Sequence, residues 1–130
     1  MASTIRSVEP GFRSLLRIIV GLTFSEHGFQ KLFGLFGGSE RVHLFSLFGL
    51  AGILESVGGV LLIFGLFTVP VAFVLSGEMV VAYFKAHFPR GFMPIQNGGE
   101  LAVVYCFVFL YLFVAGGGPV SLDRLVRKKK

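Results

Sequence analysis

The chain has 130 residues, 54% of them hydrophobic, with 16 Phe, no Trp and a formal net charge of +5. With a mean hydropathy of +0.80 it is too apolar for a water-soluble domain of this length, so the expected class is an integral membrane protein. Cys106 is the single cysteine, which excludes an internal disulfide and paired-thiol chemistry; packing is its expected role.

A bilayer core takes about 20 residues per helical span, and four apolar segments meet that need, at 12–33, 45–67, 70–86 and 98–115. None shows the strict alternation of a membrane β-strand, and no repeat or linker divides the chain. The expected fold is therefore all-α, an integral membrane four-helix bundle in a single domain over 1–130. Each segment carries one glutamate, Glu26, Glu55, Glu78 or Glu100. An acid in hydrocarbon costs about 3 kcal/mol even on permissive insertion scales, so these four residues point to a shared interior site.

The first segment contains Arg17, Glu26, His27 and Lys31, which favours a retained helix over a cleaved signal. Thr23, Glu26, His27, Gln30 and Lys31 fall within an arc of about 140° at helical spacing, forming one polar face. The plain alternative is an interfacial helix end where Lys31 snorkels, but Glu26 and His27 lie more than a turn inside that end.

The second segment places Gly49, Gly52, Ser56 and Gly59 on one stripe with Glu55 beside it. Small residues let membrane helices approach closely, so Glu55 is expected to face protein and to have a cationic partner, or to be a protonated carboxyl bonded between helices. The third segment opens at Pro70, a residue suited to a helix start. Glu78 and Lys85 share one of its faces, and Tyr83 and His87 share another. Separated by about 10 Å of helical rise, Glu78 and Lys85 are expected to pair across the bundle, with snorkelling as the alternative for Lys85.

Ahead of the fourth segment, Asn97-Gly98-Gly99-Glu100 fits a helix cap with an acid at the third helical position, so capping and site lining are both open for Glu100. With alternate helices antiparallel, these groups converge on the outer half of the bundle. The connections 34–44 and 87–97 would roof that region.

Arg6, Arg13 and Arg17 lie at the start of the first segment, and Arg124, Arg127 and Lys128 to Lys130 follow the fourth. An even number of spans puts both termini on one side, which the positive-inside rule makes cytoplasmic. Lys31, Arg41, Lys85 and Arg90 lie toward the other side and weaken the contrast without reversing it. The basic cytoplasmic tail, 120–130, suits anionic lipid headgroups. It lacks the aromatic-interleaved groove of a nucleic-acid binder, so nucleic acid is not an expected partner.

The runs His27-Gly28-Phe29-Gln30-Lys31-Leu32-Phe33-Gly34, Leu50-Ala51-Gly52-Ile53-Leu54-Glu55-Ser56-Val57-Gly58-Gly59, Gly77-Glu78-Met79, Ala82-Tyr83-Phe84-Lys85-Ala86-His87 and Asn97-Gly98-Gly99-Glu100 together resemble the DoxX family. The resemblance covers nearly the whole chain, through Ser121-Leu122-Asp123. It implies a small four-helix, multi-pass protein of the bacterial inner membrane. Some members are the membrane subunit of a thiosulfate:quinone oxidoreductase, others are linked to oxidative-stress complexes, and others have no assigned activity.

The leading functional expectation is a redox-associated subunit holding a quinone headgroup. His27, Gln30, Lys31 and a protonated glutamate would donate hydrogen bonds, and Phe-rich walls would suit an isoprenoid tail. No flavin, haem or iron–sulfur signature is evident, so no intrinsic cofactor is expected and electrons would pass to or from a partner subunit. The alternatives are a proton-coupled binding or transport protein, which at four spans would need a homo-oligomer, and a structural partner of other membrane proteins. A di-iron centre is disfavoured because the residues three after each glutamate are Phe29, Gly58, Val81 and Val103, not the histidines such sites use. Haem between His27 and His87 is conceivable by position alone.

Overall fold

Among residues 1–37 and 45–128, which the computed structural model describes, the chain is helical and contains no strand. Arg41, most of the expected 34–44 roof, and Lys129 and Lys130 lie outside the described residues. Helix α1 runs from Ala2 to Phe33 and stops at Gly34, whose φ of 68° is left-handed and suits glycine. Its start lies ten residues ahead of the expected one at 12, because the charged N-terminal segment with Pro10 is also helical.

Helix α2, Leu47–Phe64, begins at Ser46, whose hydroxyl accepts from the Gly49 amide at 3.0 Å, and ends at Gly65 with φ 69°. After a three-residue turn, α3 covers Thr68–Ala82. It therefore opens two residues before Pro70. It continues through a π-helical turn, Tyr83–His87, and a 3-10 turn, Phe88–Arg90. The short α4, Pro94–Asn97, leads into α5, Glu100–Ala115. The tail then forms α6, Leu122–Lys128, instead of trailing away.

The helices from Leu47 to Phe64 and from Thr68 to Arg90, 18 and 23 residues with mean hydropathies of 2.1 and 1.5, are long and apolar enough to cross a membrane. Helix α5 is apolar but shorter. The main packing partners are α1 with α2 and α3 with α5, with α2 against α3 joining the pairs. At the α1–α2 contact, a Cβ added to Gly59 would lie 2.7 Å from the Ser25 amide and Cβ and 2.8 Å from the Gly21 carbonyl. Only glycine permits so close a backbone approach, and van der Waals packing of this kind holds helices together where lipid removes the hydrophobic drive.

Phe24 of α1 forms the centre of the core, edge-on to Tyr105 and Phe109 of α5 at ring-centroid distances of 5.1 and 4.8 Å. Leu62, Leu75 and Leu112 complete it from the other helices, all fully buried. Such aromatic pairs add about 0.5–1.5 kcal/mol each beyond their buried area.

The two terminal segments are fastened to the same end of the molecule by buried polar groups. Arg17 is only 1% exposed, and its guanidinium donates to the carbonyls of Leu62 and Val120, each at 2.7 Å, and of Ile63 and Gly117. Leu62 and Ile63 end α2, where carbonyls lack intrahelical partners. Asp123 of α6 accepts from the Phe67 and Thr68 amides at 2.7 and 2.9 Å, capping α3 from a distant part of the chain. That bond also holds Phe67 in a left-handed conformation, φ 54°.

Candidate functional site

At mid-helix in α2, the small-residue stripe turns Glu55 inward, leaving it 3% exposed. Lys31, in the last turn of α1, reaches it with Nζ 2.6 Å from Oε1. The cation that a buried carboxylate at this depth requires is therefore supplied by the neighbouring helix, and the Lys31 side chain remains 30% exposed. Glu78 of α3 faces the same place and interacts electrostatically with both Glu55 and Lys31. Among the described residues, Glu55 Oε2 and both Glu78 carboxyl oxygens are buried without a hydrogen-bond partner. A single ammonium thus serves two carboxyls, which also lie within hydrogen-bonding reach of each other, so that a proton shared between them occupies one oxygen of each and leaves the rest for other donors.

These carboxyls sit in a cavity of about 430 Å³ between α2 and α3, otherwise walled chiefly by aliphatic residues and Phe48. Lys85 lies at its rim, exposed, so Glu78 and Lys85 line one pocket without forming an ion pair. Phe48 and Leu50 on the same wall are 59% and 51% exposed, so the cavity opens sideways between the helices. An apolar ligand could reach it from surrounding hydrocarbon.

The other expected site residues lie elsewhere. Glu26 faces outward and is exposed, on the side of α1 that carries Leu15, Ile19 and Leu22, and it has no partner among the described residues. Its expected place in an interior cluster is corrected by the helix turn, which points positions 24, 25 and 28 inward instead. His27 packs edge-on to Tyr105 with ring centroids 6.1 Å apart. Gln30 donates to the Phe36 carbonyl at 3.2 Å, closing the end of its own helix. Neither lines the cavity.

Glu100 is the first residue of α5 after the cap residue Gly99, not the third helical residue. It is exposed and borders a separate depression beside Ile95 and Leu101. An acid in the first helical turn complements the helix dipole. His87 makes a 3.2 Å contact through Nδ1 with the Asn97 carbonyl, and His27 and His87 take part in no His, Cys, Asp or Glu cluster able to hold a metal among the described residues.

Two buried polar groups escaped the sequence reading. Arg17, read there only as a topological charge, lies on the inward stripe Ser14, Gly21, Phe24 and Gly28 at helical spacing, and that placement was the available signal. Asn97, 2% exposed, donates to Tyr83 Oη and the Gly91 carbonyl at 3.1 and 3.0 Å and accepts from the Gly99 amide. It fixes the 87–97 connection, a role that its tertiary partners alone define.

The family model described as DoxX matches residues 12–88. The chain belongs to the DoxX family. An uncharacterized protein of Haemophilus influenzae is 42% identical over 98% of this chain and 99% of its own length. A Bacillus subtilis protein named "Putative oxidoreductase CatD" is 32% identical over 89% of this chain and 87% of its own. No solved structure matches the chain. The matched region contains Lys31, Glu55, Glu78 and Lys85, so the pocket lies wholly within the segment that defines this DoxX protein. Membership of this membrane-associated family agrees with the two helices able to cross a bilayer.

Proposed function

We infer that this DoxX protein is a redox-associated membrane subunit that binds a quinone, or a similarly apolar ligand with a polar head, in the cavity between α2 and α3. The observation that carries the reading is the set of unpartnered carboxyl oxygens of Glu55 and Glu78 at the base of an apolar pocket. A carboxylate accepts from a quinol hydroxyl, and a protonated carboxyl donates to a quinone carbonyl, so two adjacent carboxyls can serve both redox forms. The aliphatic walls suit an isoprenoid chain, and the sideways opening gives it a route from lipid. The name of the Bacillus relative supports a redox setting.

In this reading the four long helices all span the bacterial inner membrane and both termini are cytoplasmic. Electrons pass through a partner subunit, and the protein contributes binding and proton handling. A photoreactive quinone added to the reconstituted protein should label the segment 47–86, and Glu78→Leu should weaken labelling about tenfold, the loss of one charge-assisted hydrogen bond. Labelling that is absent, or unchanged in Glu78→Leu, overturns the reading. The unpartnered carboxyls also suit proton-coupled binding or transport, which would show as uptake into proteoliposomes abolished by Glu55→Gln.

A further inference from the structure

At the end of the molecule where α1 starts and α5 finishes, a second concavity of about 360 Å³ lies between Arg13, the 116–119 loop and α6. It shares no residue with the carboxyl pocket and has the opposite character. Arg13, Arg124 and Arg127 border it. Asp123 lines it as well and Glu9 lies nearby; both are hydrogen-bonded, and Glu9 is also paired with a cation. Glu9 takes both ends of the Arg13 guanidinium at 3.0 Å, and Asp123 holds the Phe67 and Thr68 amides. The loop carbonyls are occupied too, Ala115 by Arg13 and Gly117 and Val120 by Arg17. The guanidiniums of Arg124 and Arg127 have no partner among the described residues.

The geometry points to a phosphate-binding site, taking either the phosphate of an anionic lipid headgroup or a soluble phosphate. Arginine suits that chemistry, because its planar fork matches phosphate oxygens and carries a permanent charge. The buried Arg17 contacts hold the loop in shape before a ligand arrives, so little ordering cost remains. The lipid source is favoured by α6 itself, where Leu125 and Val126, 56% and 48% exposed, alternate with the arginines. Apolar residues interleaved with basic ones suit a short helix lying at a membrane surface.

The lipid form rests on the membrane reading above, which an alkaline carbonate wash tests separately: a protein released without detergent fails that reading. For the site itself, detergent-purified full-length protein is titrated with phosphatidylglycerol, phosphatidylcholine or inorganic phosphate, and adducts are followed by native mass spectrometry. Phosphatidylglycerol should bind preferentially, weakening about fivefold in Arg124→Gln and about thirtyfold in Arg124→Gln/Arg127→Gln, with the melting temperature unchanged. Inorganic phosphate that binds alone and displaces the lipid, with the same dependence on both arginines, assigns the site to a soluble phosphate. Lipid and phosphate binding that are both indifferent to the double substitution overturn the proposal.

Discussion

Replacing Lys31 by methionine tests the electrostatic logic of the carboxyl pocket most directly. Breaking a fully buried ion pair costs about 3–5 kcal/mol because an uncompensated charge is left inside, whereas exposed pairs are worth about 0–1 kcal/mol. The Lys31–Glu55 pair lies between these limits, one side chain 30% and the other 3% exposed. Lys31→Met is therefore expected to cost about 2–3 kcal/mol, closer to the buried limit because the stranded partner is Glu55. Glu55→Gln should cost less, about 1 kcal/mol, since the released ammonium can turn to polar surroundings and the new amide can donate to Glu78. Combining the two removes the stranded charge and should recover about 2 kcal/mol relative to the sum of the singles. Equilibrium unfolding of all four proteins in mixed dodecyl maltoside and dodecyl sulfate micelles, read by circular dichroism, gives the coupling. A coupling within about 0.5 kcal/mol of zero would refute the claim that Lys31 neutralises Glu55.

Other substitutions separate architecture from chemistry. Arg17→Met removes the charged donor from four carbonyls, leaving those of Ile63 and Val120 with no other donor among the described residues; at about 1.5–3 kcal/mol for each bond to a charged group, recovery of folded protein by size exclusion of a detergent extract should fall sharply, and full recovery would contradict the structural role. Gly59→Ala forces a methyl against the Ser25 and Gly21 backbones, so a loss of about 1–3 kcal/mol is expected in the same unfolding assay, and a neutral result would show that α1 and α2 are not so close. Glu26→Gln should leave quinone labelling intact, because Glu26 does not line the cavity; labelling lost in this variant would return Glu26 to the site.

The helical class, the α2 glycine stripe and the inward direction of Glu55 were legible in the sequence because each depends on periodicity within one helix. Which cation would pair with Glu55 was not, since only the packing of α1 on α2 selects Lys31. The polar face proposed for α1 failed for a related reason. An arc of about 140° is wide enough for one edge to face protein while the other faces outward, so Lys31 reaches Glu55 and Glu26 does not. The role of Asp123 was not legible, because its cap on α3 depends on a contact with a residue more than fifty positions away.

The two ends of the molecule divide the cost of burying charge in different ways. At one end Arg17 is surrounded by carbonyls from helix and loop ends, of which Ile63 and Val120 have no other donor among the described residues. The Arg17 guanidinium is fully engaged there, and the result is a fastening. In the middle of α2 and α3 the balance is deliberately incomplete in the other sense, because two carboxyls share one ammonium and three buried oxygens remain without donors. Natural proteins satisfy nearly all buried polar groups, and an excess of acceptors facing an apolar cavity is a stability cost that packing could remove by replacing Glu78 with leucine. Its presence beside an apolar pocket is therefore the strongest structural argument that the acids serve a ligand or a proton, and it separates Glu55 and Glu78, which share that pocket, from Glu26 and Glu100, which do not line it.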